Sequence, residues 1–262
     1  MSKRTGTSKP GMMSLPSLPR RVPLMPVTPV FPPDVAAVVL DMDGTLIDTE
    51  RLYKACTLDT LASLGWPDQH ALLLEMVGLS SDKCDALLRA TFGDDFPLVE
   101  YRKSFITRRQ ALADQHIPVK KGTIALLDAL AAARIPMAIA TSSMRESAER
   151  NLRIAGLRER FDIVVTADDV KDAKPSPDVY LLAARTLGVA PTECIAVEDS
   201  GHGVMAAKAA GMATIMVPDM VQPNERIRAL CAAVCVDLDE ALGLLRSHVP
   251  QLNAVQADAD AS

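Results

Sequence analysis

Aromatic residues are scarce, making up 3% of the 262 residues with a single Trp. Binding single-stranded nucleic acid by stacking needs several exposed rings, so this chain is poorly equipped for it. Long apolar runs are missing too: nothing approaches the roughly 18 consecutive apolar residues of a membrane-spanning helix. The five cysteines are odd in number and contain no C-x-x-C pair, so reduced thiols acting as small buried apolar residues are expected. His70, His116, His202 and His248 show no metal-ligand spacing. Acid is absent from residues 1–33, which carry Lys3, Arg4, Lys9, Arg20 and Arg21; the rest holds 23 basic and 33 acidic residues, a net −10. Such an acidic body is a poor general partner for nucleic acid, whose affinity rests on cations against phosphates.

What is present is globular. Hydrophobic residues reach 48% and charged residues 23%, which excludes wholesale disorder and fibrous architectures. The length suits one large domain, or one domain carrying an insertion. Residues 1–33 contain eight prolines from Pro10 to Pro33 and read as a basic, polyproline-like arm. Those prolines interrupt every apolar stretch, so the arm is no secretory signal and a cytoplasmic location is expected. Residues 249–262 read as a flexible tail.

Between the tails, short apolar runs alternate with helical patterns, as in βαβ units of a parallel sheet. The runs are Val35–Leu40, Pro136–Ala140, Ile163–Val165, Cys194–Val197, Ala213–Val217 and Ala233–Val236. Their lack of polar alternation predicts a sheet covered by helices on both faces. Helices are expected at Thr123–Ala133, Arg145–Ala155, Pro177–Leu187 and Gly203–Ala210. One stretch breaks the rhythm. Residues 51–119 offer only helical segments, Tyr53–Leu64, Gln69–Val77, Asp82–Thr91 and Phe96–Gln115. The fold class expected is therefore α/β, a doubly wound parallel sheet (34–50 and 120–248) with an all-helical cap inserted after the first strand. Such an insertion covers the carboxyl ends of the strands, where open α/β sheets bind ligands.

The sharpest chemical feature ends the first apolar run: Asp41-Met42-Asp43-Gly44-Thr45. Two acids one residue apart project to the same side where the strand ends. At that distance they repel, so they need a cation or one must hold a proton. Both conditions suit a nucleophile and a general acid working around a metal, although the same letters also suit an ordinary turn. Three more sites end later strands. Thr141-Ser142-Ser143 offers hydroxyls and backbone N–H groups for a phosphate, or a plain helix cap. Lys174-Pro175 fixes a cation before a helix. Glu198-Asp199-Ser200 precedes another helix and could cap it or hold Mg²⁺ through oxygen ligands.

Together, in this order and spacing, the four segments resemble the haloacid dehalogenase superfamily over residues 35–245, in a branch holding small-molecule phosphatases and β-phosphoglucomutase. Asp48-Thr49-Glu50 and Val197-Glu198-Asp199-Ser200 carry that finer likeness. The resemblance implies a Rossmann-like core and an aspartyl-phosphate mechanism. Asp41 is then the nucleophile and Asp43 the general acid and base, while Lys174 neutralises charge between nucleophile and phosphoryl group. Thr141, Ser142 and Ser143 would bind the phosphoryl oxygens. Asp41, the Asp43 carbonyl and Asp199 would hold Mg²⁺, with Glu198 reaching it directly or through water. Asp43 also argues against dehalogenation, since dehalogenating members lack that acid.

Specificity is expected from the cap, through Tyr53, the loop Gly78–Lys83 including Ser80, and Arg102, Lys103, Arg108 or Arg109, unless that basic cluster is a solvated helix face. The expected activity is Mg²⁺-dependent hydrolysis of a small phosphorylated metabolite, of sugar-phosphate or phosphoglycolate type. No nucleic-acid or membrane partner is expected, and the protein should be a monomer or homodimer. One alternative is a β-phosphoglucomutase-like mutase. That reading is weakened because Ser81 and Tyr53 stand where the mutase carries a basic residue and a His. The other alternative is a non-catalytic protein that keeps the fold for binding.

Overall fold

The computed structural model describes residues 31–76 and 81–253. Six strands form one parallel sheet: β1 Ala37–Leu40, β2 Met137–Ala140, β3 Ile163–Val165, β4 Cys194–Glu198, β5 Ala213–Met216 and β6 Ala233–Val234, in the order β3-β2-β1-β4-β5-β6. Val39 of β1 is aligned with Ala138 of β2 on one side and Ala196 of β4 on the other. Every residue of β1 is buried. Successive side chains nevertheless point to opposite faces: Val38 and Leu40 join one apolar cluster, Ala37 and Val39 another. The first cluster packs under helices Thr123–Ala132, Arg145–Ile154 and Leu238–His248, the second under Asp178–Leu187 and Gly201–Ala209. A strand clad on both faces has no use for polar alternation, which is why its sequence shows none.

The chain leaves β1 in one direction for β2 and later returns to the other flank as β4. The loops at the carboxyl edge of β1 therefore diverge and open a crevice. Between β1 and the helix Thr123–Ala132 stand four helices: α1 Thr49–Ser63, α2 His70–Met76, α3 Ser81–Phe92 and α4 Leu98–Gln115. They bury Leu61, Leu72, Leu88, Phe96 and Tyr101 in a cluster of their own. The few aromatics concentrate here, with Trp66 against both Phe92 and Phe96 at 5.1 Å between ring centroids. Two chain crossings join this module to the sheet, tied by an antiparallel bridge between Ile47 and Val119 and by the Asp48 N–H donating to the Pro118 carbonyl at 2.8 Å.

Several expected boundaries move. Residues 249–253, expected in the flexible tail, belong to the fold, because Val249 and Leu252 are buried in the larger core cluster; residues 254–262 lie outside the described residues. At the other end Phe31, expected in the arm, packs against that cluster with its ring 4.7 Å from that of His248; residues 1–30 of the arm lie outside the described residues. The last strand stops at Val234, since it is the sheet edge and Val236 is already exposed. The helix expected from Gly203 starts at Gly201, because the Ser200 hydroxyl accepts from the Gly203 N–H at 3.0 Å and caps it there. No helix among the described residues is long and apolar enough to cross a membrane.

Candidate active site

Asp41 follows β1 directly, and its N–H donates to the Val197 carbonyl at 2.9 Å, so strand pairing holds the residue rigidly at the sheet edge. The side chain is 6% exposed. Three residues on, Gly44 turns the chain at φ +83°, where a Cβ would stand 2.3 Å from the Asp199 carboxylate. Only glycine admits both that backbone conformation and so close an approach. Thr141 follows β2 directly and Glu198 ends β4, while Lys174 lies in the loop between β3 and the helix Asp178–Leu187. The parallel sheet therefore delivers groups far apart in sequence to one edge.

The buried Lys174 ammonium donates to Asp41 Oδ1 and Glu198 Oε1, each at 2.6 Å, and to the Ala140 carbonyl at 2.8 Å. Its Nζ also lies 4.9 Å from the centroid of the Tyr180 ring. Glu198 is fully buried and both of its oxygens are engaged. Oε1 accepts from Lys174 and from the Tyr180 hydroxyl at 2.8 Å; Oε2 accepts from the Asp199 and Ser200 amides and the Ser200 hydroxyl at 3.0–3.1 Å. Burial alone would favour the neutral amine, but the charges of Asp41 and Glu198 overcome it and hold Lys174 above the usual lysine range. Asp41 goes the other way. Burial pushes it up to about 8, opposed by Lys174 and reinforced by the charges of Glu198 and Asp43. One ammonium is thus shared between two buried carboxylates.

Asp43 faces hydroxyls. Its Oδ1 accepts from Thr49 at 2.9 Å and its Oδ2 from Ser143 at 2.7 Å, with Thr141 Oγ1 farther off at 3.4 Å. Thr141 is no helix cap, since the following helix is preceded by Met144 and lacks a side-chain cap bond. Oxygen atoms of Asp41, Glu198 and Asp199 lie within 4.8 Å of one another. An all-carboxylate set suits a hard divalent cation such as Mg²⁺. With five protein donors already on Glu198, Asp41 and Asp199 are better placed for direct ligation.

Asp41, Asp43, Thr141, Ser142, Ser143, Lys174, Asp199 and Tyr53 all line one crevice of about 680 Å³ between the helical module and the strand ends. Glu198 lies beneath it. Ser80 lies outside the described residues. Of the basic residues on α4, Arg102 and Arg109 line this crevice, whereas Lys103 and Arg108 line a separate groove on the module's outer side. Sequence reasoning missed Tyr180 and Thr49 as site residues. Tyr180 was detectable in principle: it sits on the stripe Val179, Tyr180, Ala183 and Ala184 that faces the sheet, and a buried tyrosine hydroxyl needs a partner.

A family profile described as haloacid dehalogenase-like hydrolase matches residues 38–217. The fructose-1-phosphate phosphatase YqaB of Escherichia coli is 35% identical over 185 residues, covering 70% of this chain and 96% of that protein. A phosphorylated carbohydrates phosphatase of Thermotoga maritima is 30% identical over 80% of this chain and 98% of its own length. Among solved structures, a HAD family hydrolase from Deinococcus radiodurans with bound phosphate and sodium superposes with a TM-score of 0.72 at 29% identity, covering 85% of this chain and 97% of that one.

Proposed function

The chain belongs to the haloacid dehalogenase-like hydrolases and is a phosphoric monoester hydrolase, and from that premise we propose that it is a Mg²⁺-dependent phosphatase of a small phosphorylated metabolite. The observation that carries this reading is the buried Lys174 ammonium, 2.6 Å from both Asp41 and Glu198, with Asp43 and Asp199 opening onto the same crevice. Three acids alone would repel a dianionic ester; Lys174 offsets part of that charge. Asp41, Asp199 and the Asp43 carbonyl would hold Mg²⁺, which when bound supplies the second positive charge that keeps Asp41 ionised and screens the phosphoryl oxygens.

Asp41 attacks phosphorus, the P–O bond to the alcohol breaks, and Asp43 gives its proton to the leaving oxygen. Asp43 then takes a proton from water as the water attacks the aspartyl-phosphate, releasing phosphate and restoring Asp41. Thr141, Ser143 and the Ser142 amide orient the phosphoryl group. Lys174 stays protonated throughout, since its two carboxylate neighbours hold its pKa above the usual lysine range. Helices α1–α4 act as the cap that excludes bulk water during the reaction. The mutase reading has less support: Tyr53 stands where the mutase carries a His, and its hydroxyl accepts from Arg109 at 2.6 Å.

A panel of phosphate esters assayed with and without MgCl₂ tests the proposal. Turnover should require Mg²⁺ and vanish in Asp41→Asn. Turnover that survives this substitution removes Asp41 from the mechanism.

A further inference from the structure

The hydrolytic machinery accounts for the core side of the crevice and leaves the cap side unexplained. On α4, Arg102, Phe105, Ile106 and Arg109 all line the crevice, at the i, i+3, i+4, i+7 spacing of a single helix face. That face opens onto the crevice. Lys103 and Arg108 of the same helix take the outer groove instead. Lys54 of α1 also lines the crevice, and the one carboxylate on the cap side is Asp85, which is ion-paired with Arg102. Among the described residues no carboxylate is ion-paired with Arg109. The cap side therefore carries two positive charges more than negative ones, while the core side carries the reverse imbalance.

Arg109 is also held in place. It donates to the Tyr53 hydroxyl at 2.6 Å and its guanidinium carbon lies 5.3 Å from the centroid of the Tyr53 ring, which in turn lies 5.8 Å from that of Phe105. One N–H of five is used there, so the planar group retains an edge for a bidentate anion. The position relative to the chemistry follows from α1. Thr49 donates to Asp43 at 2.9 Å, and Tyr53 is four residues further along the same face, a rise of roughly 6 Å at about 1.5 Å per residue.

Resting on the phosphatase reading, we propose that Arg109, oriented by Tyr53 and assisted by Lys54, forms a subsite for a second anionic group of the substrate, a phosphate or carboxylate about one helical turn from the scissile phosphate. The preferred substrates are doubly anionic esters, and the apolar Phe105 and Ile106 on the same face pack against the carbon skeleton between the two charges.

The test compares matched esters on the full chain with MgCl₂: fructose 1,6-bisphosphate against fructose 1-phosphate, and 2-phosphoglycolate against 2-hydroxyethyl phosphate, with p-nitrophenyl phosphate as a general reporter. Wild type should favour the doubly anionic member of at least one pair by about tenfold or more in kcat/KM, the scale of one charge-assisted contact. The favoured pair tells phosphate from carboxylate. That preference should shrink about tenfold in Arg109→Gln, chiefly through KM, and more weakly in Lys54→Met, while Lys103→Met on the outer groove keeps it. Equal use of both members by wild type overturns the subsite, as does an equal loss on both members in Arg109→Gln. If no ester is hydrolysed, p-nitrophenyl phosphate included, the phosphatase reading itself fails and takes the subsite with it. Turnover without anion preference rejects the subsite alone.

Discussion

Replacing Gly44 by alanine separates two costs that the structure superimposes at one residue. The first is backbone strain: φ is +83°, and forcing an L-residue into the left-handed region costs about 1–2 kcal/mol. The second is steric. The new methyl would lie 2.3 Å from Asp199 Oδ2 and 2.9 Å from its Cγ, so to regain an ordinary contact of 3.4 Å the carboxylate must retreat by about 1 Å. Gly156 is the control, with φ +71° and nothing within 4 Å of its would-be Cβ. Both variants should lose about 1–2 kcal/mol in urea unfolding. Only Gly44→Ala should lose activity, because a displacement of about 1 Å in a reacting constellation can cost about 100-fold. The assay is kcat/KM on a phosphate ester at saturating MgCl₂, with a Mg²⁺ titration alongside, and the half-saturating Mg²⁺ concentration should rise with the loss. If Gly44→Ala stays within threefold of Gly156→Ala in both measures, Asp199 is not the ligand that the geometry makes it.

Lys174→Met strips the shared ammonium from Asp41 and Glu198, and should cost about 3–5 kcal/mol in urea unfolding. Adding Asp41→Asn should restore part of this, because it removes one of the two unpaired charges; additivity within about 0.5 kcal/mol refutes the coupling. At Asp169, burial raises the pKa, but hydrogen bonds from the Thr166 amide and hydroxyl together with Arg145 outweigh it and leave a net depression. A depressed carboxylate stabilises the fold above its unfolded pKa and loses that contribution as pH falls through the folded value. Asp169→Asn should therefore cost about 1 kcal/mol at pH 7, with the gap to wild type closing below about pH 4, and a gap independent of pH refutes this. Burial pushes Cys194 and Cys231 up to about 11 and Cys235 up to about 12. Ellman's reagent at pH 7 should label the buried Cys194 and Cys235 only after unfolding, and prompt labelling of either in the native protein, located by peptide mapping, would contradict their burial.

The order of strands and helices was legible in the sequence because each rests on a local pattern. Apolar runs without alternation mark strands clad on both faces, and the helical patterning of residues 51–119 marks the insertion. Asp41, Asp43, Thr141, Lys174 and Asp199 were legible as well, since a parallel sheet exposes functional groups where its strands end. Boundaries set by packing were not. Nothing near Val249 in sequence announces that it and Leu252 fill the core, as their neighbours there come from distant elements.

Within the site, the sequence specified which chemical groups are available and that they gather at one edge. It could not say how the charge is shared. That Tyr180 and Lys174 complete the donor set on Glu198, and that one ammonium serves two carboxylates, follow from contacts between residues 18 to 133 positions apart. The same holds for α4, whose four basic residues look alike in the sequence. Its packing against α1 turns Arg102 and Arg109 into the crevice and leaves Lys103 and Arg108 outside. Side-chain identity is a local property, but pKa, hydrogen-bond saturation and the facing of a helix depend on through-space neighbours, which exist only once the chain has folded.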